Sequence, residues 1–582
     1  MSCRVASWGR RIAVAVPLFG AVAVVVASAR PSLAAPTRSP APERFSVVEK
    51  TIPELQEAMR SGRVTSRELV SLYLERIALY EDRLHAALAV NTRALAEAEA
   101  LDRERAAGHV RGPLHGIPIA LKDNIQMAGM PTTAGALAFD GFIAPYEATL
   151  VENLRAAGAV ILAKTTMTEL ANWIASGMPT NYNAIAGYGF NPYDPRRDPR
   201  EATGDGRPVL ATGGSSSGIG TAASLWAANV GTETSGSILS PANQTMLAAI
   251  KPTVGRISRH GFVPITADQD TAGPLARTVR DASILLGALE SPAPDPTDPA
   301  TTRCPPPPDR DYTRYLDAGA LRGARLGIPR AFYYDAVTPP GAKEPRGGLN
   351  LDQAKLMAEA IAALRAAGAV IVDPAEIPSV VAKEAGDNLL LWNVCGGLDN
   401  AKGKDADCST DFKYGMKRDF NAWLASLGSD APVHDLRELR LWNVAHQKMG
   451  ALKYGQAQLD ISDEVNLDAD GARYRADREK DLRLAGAQGI DAALAAGRLD
   501  ALVFPGSGGA AIAAKPGYPT VIVPFGFVPN APTPPYPEGF VAQPAPFGVS
   551  FTGPACSEPR LIALAYAFEQ ATRRRVPPAS TP

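Results

Sequence analysis

Two serine-bearing stretches and one lysine are the residues best placed to do chemistry in this 582-residue chain. The run Gly213-Gly214-Ser215-Ser216-Ser217-Gly218 puts three hydroxyls between glycines. Such a backbone can turn sharply and bring hydroxyl and N–H groups close to a ligand. Further on, Ser237 closes the word Gly231-Thr232-Glu233-Thr234-Ser235-Gly236-Ser237. Successive N–H groups of Thr234, Ser235, Gly236 and Ser237 could converge there on one point, which is the construction of an oxyanion hole. Lys122 ends the apolar run Gly116-Ile117-Pro118-Ile119-Ala120-Leu121. A lysine closing a buried strand ordinarily just reaches solvent, so it gains meaning only beside the serines.

The elements that must carry these residues alternate between helix and strand. Thr65 and Ser66 give a helix N-cap signal, after which Leu69, Tyr73, Ile77 and Tyr80 recur at helical spacing. Residues 154–157 end a second helix, Gly158 is placed to cap it, and 159–162 reads as a buried strand. The same word recurs at 364–371. Apolar runs at 501–504 and 520–523 add central strands near the C-terminus. Helices interleaved with buried strands predict an α/β protein with a covered sheet. Residues 185–210 read as a surface loop. Residues 291–310, with prolines at 305–308, read as a stiff connector that either parts two domains or, as the strands on both sides favour, bridges two halves of one sheet.

Composition narrows the field. Apolar residues are 46% and charged residues 20%, as in a globular protein with a sizeable core. Glycine (52) and proline (50) stay below the level of low-complexity chains. A formal charge of −1 gives no electrostatic footprint for nucleic acid. Collagen, coiled coil, a disordered chain and a multi-span membrane protein are excluded.

The first 34 residues are of another kind. Arg4, Arg10 and Arg11 precede an uncharged Ala/Val-rich run at 12–29, then small residues at 32–35. That is the order of a secretory signal peptide. Residues 1–34 are therefore expected to be cleaved, 35–47 to form a short linker, and 48–580 to form a single catalytic domain. An uncleaved anchor is the alternative, since the run is nearly long enough to span a bilayer. The Arg10-Arg11 pair permits twin-arginine export, although Ile12-Ala13-Val14 is a poor continuation of it. The expected location is periplasmic or secreted, with no stable membrane insertion after cleavage. Cys304, Cys395, Cys408 and Cys556 then remain. None forms a CxxC pair, so no metal site is expected. Cys395 and Cys408 could close a loop in an oxidising compartment; four separate thiols are the alternative.

Taken together these words resemble the amidase signature family of serine hydrolases, from about residue 48 to the C-terminus. The carrying residues are Gly116-Ile117-Pro118 through Lys122-Asp123-Asn124, the run 213–218, and Gly231-Thr232-Glu233-Thr234 through Ser237. Lys251-Pro252-Thr253-Val254-Gly255, Asp270-Thr271-Ala272-Gly273-Pro274, Gly517-Tyr518-Pro519 and Pro546-Phe547-Gly548-Val549-Ser550-Phe551 support the match. The Gly-Thr-Glu-Thr word and residues 412–427 are similar to peptide-amidase-like members. The resemblance implies that the covered sheet is large, mixed, central and flanked by helices on both faces. It implies Ser237 as acylating nucleophile, Ser215 as bridging serine and Lys122 as base, with no histidine, metal or cofactor. It implies hydrolysis of small-molecule or peptide amides, C-terminal peptide amides first, to an acid and ammonia or an amine. The chemistry agrees with it: a serine hydroxyl needs a base, and a lysine serves only when burial makes it neutral.

Three departures stand out. Ile238-Leu239 follows Ser237 where many members carry an arginine after the aliphatic residue. Position 235 is Ser where glycine is usual. The spacing from Ser215 to Ser237 is 22 residues, about two shorter than in most members. The shortening is expected around 225–229; were it nearer the glycines, Ser216 would take the bridging role. Two other readings compete. Gly214-Ser215-Ser216-Ser217-Gly218 fits a nucleophile elbow with Ser216 attacking and a histidine such as His434 or His446 assisting. The second is an amide-binding protein without catalysis. Gly218-Ile219-Gly220 is half a dinucleotide fingerprint, better explained by close helix packing. The aromatic residues Trp392, Trp423, Trp442 and Tyr414 are expected at a pocket wall or, equally, in the core.

Overall fold

The computed structural model describes residues 45–582 apart from Ser215; the expected signal segment lies outside the described residues. The strands are β1 (Ala87–Val90), β2 (Pro118–Lys122), β3 (Val160–Thr165), β4 (Tyr182–Asn183), β5 (Gly187–Tyr188), β6 (Ala228–Glu233) and β7 (Ala248–Lys251). They continue with β8 (Thr271–Ala276), β9 (Arg325–Gly327), β10 (Val370–Val372), β11 (Ala501–Pro505), β12 (Thr520–Val528) and β13 (Ala545–Thr552). Strands β4 and β5 pair only with each other. The other eleven form one sheet in the order β1-β3-β2-β6-β8-β7-β12-β13-β11-β9-β10. β2 runs parallel to both β3 and β6, whereas β6, β8, β7, β12, β13 and β11 are antiparallel in succession. The sheet is thus mixed, as expected.

Local signals act where the sequence puts them. Thr65 caps the helix Ser66–Leu84 in a box with Glu68, and Leu69, Tyr73 and Ile77 face inward. The recurrent helix–glycine–strand word builds Thr149–Ala156 into β3 and Leu351–Ala366 into β10. Strands β2, β3, β6, β7, β8 and β11 are buried at every position, which explains their apolar, non-alternating runs. Against β12 and β13 lies the helix Glu558–Thr572, with Phe568 5.4 Å from Phe525 and 5.7 Å from Phe551.

The proline-rich connector lies between strands of the same sheet, β8 before it and β9 after it. Cys304 within it bonds to Cys556, ahead of the last helix. Cys395 and Cys408 form the second disulfide. Residues Ser46–Pro582 form one unit. No helix among the described residues is long and apolar enough to cross a membrane.

Candidate active site

The carboxyl ends of β2 and β6 lie side by side, because Ile119, Ala120 and Leu121 pair in parallel with Ala228, Asn229 and Val230. Open α/β sheets place ligands just outside such strand ends. Lys122 is the last residue of β2, and Ser237 follows β6 by a four-residue turn.

Lys122 is fully buried, and its Nζ donates to the Thr232 carbonyl (3.1 Å) and to Thr232 Oγ1 (2.8 Å). Asn124 Nδ2 donates to the same hydroxyl (3.1 Å) and to the Val263 carbonyl (3.1 Å). Burial pushes the Lys122 ammonium from its ordinary range down to about 7, against the pull of the Asp270 and Glu233 carboxylates. A change of that size is about 5 kcal/mol between charged and neutral forms. Two other lysines are as deeply buried, and the contrast is informative. Lys164 faces Asp123 at 3.4 Å and donates to the Pro131 carbonyl (2.7 Å), so it is an internal ion pair. Lys251 donates to the Tyr518 carbonyl (2.5 Å), and burial brings it to about 8.

Ser237 is partly exposed, on a turn built by its neighbours. Glu233 Oε2 accepts from the N–H groups of Ile238 (2.7 Å) and Leu239 (3.0 Å), capping the helix Leu239–Gln244. Thr234 Oγ1 donates to Asp270 Oδ1 (2.5 Å), while Asp270 Oδ2 accepts from Ile265 N–H (2.8 Å) and Thr266 N–H (3.1 Å). The N–H groups of Thr234, Ser235, Gly236 and Ser237 between these anchors have no acceptor among the described residues. The one positive φ of this turn falls on Gly236 (+94°), so Ser235 carries its side chain without backbone strain.

The glycine–serine run packs onto this turn. A Cβ on Gly214 would stand 2.7 Å from Ser237 Cα. Ser216 N–H donates to the Ser237 carbonyl (3.0 Å). Ser216 Oγ donates to the Thr232 carbonyl (2.8 Å) and accepts from Thr232 N–H (3.0 Å), clipping the loop to β6. Ser215 itself lies outside the described residues; both its neighbours touch Ser237. The segment then makes one helical turn, Ile219–Ala222, before β6 begins at Ala228. A Cβ on Gly220 would meet Trp226 at 2.0 Å, so the small residues of Gly218-Ile219-Gly220 serve packing.

Beside Ser235 opens a cavity of about 350 Å³. Its walls come from Phe332 and Tyr333, from Leu389, Leu390 and Trp392, and from Ile512. Of the four aromatics expected at the pocket wall, only Trp392 lines this cavity. Trp423 packs on Phe139 (5.5 Å) and Phe420 (5.4 Å). Tyr414 stacks on Tyr474 (4.1 Å) and Trp442 on His446 (3.8 Å).

The amidase family model matches residues 68–562. The chain belongs to the amidase family. A probable amidase of Arabidopsis thaliana is 35% identical over 545 residues, covering 92% of each chain. Among solved structures, the native peptide amidase from Stenotrophomonas maltophilia is 36% identical with a TM-score of 0.75, covering 92% of this chain and 99% of that one. The peptide amidase PAM in complex with the competitive inhibitor chymostatin is 37% identical with a TM-score of 0.75, covering 92% of this chain and all of that one. This amidase is therefore an amide hydrolase built on a large mixed sheet, as the resemblance implied, here of eleven strands.

The elbow reading with Ser216 does not fit the amidase structure. Ser216 is buried and spends its hydroxyl on Thr232, while His434 bonds Glu438 and His446 Nδ1 bonds the Trp442 carbonyl. The departure at Leu239 also has a physical reason: Ile238 and Leu239 are fully buried, in a cluster with Ala242, Leu247 and Ile522. Four contributors escaped the sequence reading. Thr232 and Glu233 sit inside the quoted Gly-Thr-Glu-Thr word, and Asp270 opens another quoted motif. The fourth, the Lys164–Asp123 pair, shows only once β2 and β3 are paired.

Proposed function

We propose that this amidase hydrolyses carboxylic amides through an acyl-enzyme on Ser237, with Lys122 as base and Ser215 relaying the proton. The observation that carries the reading is a Lys122 buried at the strand end, its ammonium destabilised by that burial, beside a turn whose four N–H groups have no acceptor among the described residues. A neutral amine has two N–H groups and one lone pair. Its N–H groups donate to the two Thr232 oxygens, and its lone pair is the group that takes up a proton. Ser237 Oγ adds to the amide carbonyl as its proton passes by way of Ser215 to Lys122. The N–H groups of Thr234, Ser235, Gly236 and Ser237 stabilise the resulting oxyanion. The proton then returns to the leaving nitrogen, ammonia or an amine departs, and water hydrolyses the ester. Ser216, already spent on Thr232, leaves the relay to Ser215.

C-terminal peptide amides are the favoured substrates, on the likeness to two peptide amidase structures at 36–37% identity. Replacing Ser237 with alanine is expected to lower ammonia release from a peptide-amide panel by at least about 10³-fold and to abolish the acylation burst. A burst persisting in that variant would refute the assignment.

We further propose export, with residues 1–34 removed. Two disulfides among the described residues support an oxidising compartment. N-terminal sequencing of the mature protein tests this: a start near residue 35 agrees, an intact Met1 does not.

A further inference from the structure

Behind the cavity beside Ser235 lies a carboxylate that does not line it. Asp481 is fully buried. Its Oδ1 accepts from Trp392 Nε1 (2.9 Å) and from Lys515 Nζ, and its Oδ2 accepts from Ser409 Oγ (2.6 Å). Trp392 and Lys515 are both cavity-wall residues. Ser409 in turn is tied to the strand of wall that carries Trp392: its N–H donates to the Asn393 carbonyl (2.8 Å) and its carbonyl accepts from Cys395 N–H (2.9 Å). The Cys395–Cys408 disulfide closes the same loop. One carboxylate thus fixes the indole and cancels the ammonium that would otherwise face the cavity.

In the remaining lining Phe332, Tyr333, Leu389, Leu390 and Ile512 are apolar or aromatic, Gln269 and Asn393 are polar but uncharged, and the cation Arg346 is exposed, where water screens it. Lys480 Nζ lies 3.6 Å from the centre of the Trp392 ring but does not itself line the cavity. About 350 Å³ is at the small end for a ligand site and has room for a large side chain. When a primary amide is cleaved, ammonia leaves, so all the substrate's bulk lies on the acyl side.

We propose that this cavity receives the side chain of the residue bearing the scissile amide, and that Asp481 sets its selectivity for bulky apolar side chains. Asp481 is a positioning residue, acting through Trp392 and Lys515. The inference rests on the amide-hydrolase reading above and names the substrate class within it.

The test compares N-acetyl-phenylalaninamide with the α-amide of N-acetyl-glutamate, which share a scissile bond and differ in one side chain. Wild type is expected to favour the phenylalanine amide. Asp481→Asn is a sparing change: the amide oxygen can still accept from Trp392 and Lys515, and its NH₂ can donate to Ser409. Only the negative charge goes. The Phe/Glu ratio of kcat/KM should then fall at least tenfold, chiefly through KM, because Lys515 now presents an uncancelled charge. The double variant Asp481→Asn with Lys515→Met removes both charges and should restore the preference for Phe. Should Asp481→Asn fail to fold, the double variant and Lys515→Met alone still decide: both must keep or raise the Phe/Glu ratio. A wild-type preference for the glutamate amide overturns the inference. So does an equal fall on both substrates in Asp481→Asn, or loss of the preference in the double variant. Failure of wild type to hydrolyse either amide, with no acylation of Ser237, overturns the amidase mechanism itself and this inference with it.

Discussion

A lysine is an unusual base because water holds its proton so firmly. Here Lys122 is buried away from solvent, and two Thr232 oxygens receive its N–H groups. The same carboxylates that steady the turn oppose its neutrality. Asp270, itself raised to about 7 by burial, favours the ammonium form of Lys122 when ionised. Activity should therefore climb as pH rises through about 7, where Lys122 loses its proton. Asp270→Asn keeps the hydrogen-bonding shape but removes the charge that stabilises the ammonium. The acid limb of the kcat–pH profile should move to lower pH in that variant. A shift to higher pH, or none, contradicts the electrostatic account.

At the scale of elements, two parallel strands and one tight loop bring distant residues together. Gly213 shows how little room there is: its φ is +82°, and a Cβ would stand 2.4 Å from Pro241 N. Gly213→Ala should cost about 1–3 kcal/mol of stability and displace the run that packs on Ser237, so both Tm and kcat should fall. An unchanged kcat would show that the loop's placement is not critical. Much of this level was legible in the sequence. Capping boxes, helix-ending glycines and buried strands are set by neighbours a few residues apart, so Thr65, Gly158 and the run ending at Lys122 could be read directly. The pairing of β2 with β6 could not, nor the Ser216 clip, nor the use of Glu233 as a helix cap. Those depend on which strands become neighbours.

The whole molecule is tied together over long sequence distances. The Cys395–Cys408 link spans 13 residues, and Cys304–Cys556 spans 252. The first pairing is one of two alternatives that the sequence leaves open, suggested by proximity in the chain, whereas the second needs the fold, because the sheet is what brings the connector to the C-terminal helix. In the loop-entropy model the longer link restrains the unfolded chain by about 5 kcal/mol and the shorter by about 3 kcal/mol. Serine replacement of Cys304 and Cys556 should thus lower the denaturation midpoint more than replacement of Cys395 and Cys408. The reverse order would show that native packing, not chain entropy, dominates. The shorter link braces a cavity wall, so its loss should instead register in KM.

The most direct test of the mechanism is covalent labelling by a fluorophosphonate, mapped to a residue by peptide mass spectrometry across pH 5.5 to 9. The adduct should sit on Ser237, form faster as pH rises with a midpoint near 7, and lose that pH dependence and most of its rate in Lys122→Met. An adduct on another serine, or a rate indifferent to both pH and Lys122, would contradict the account.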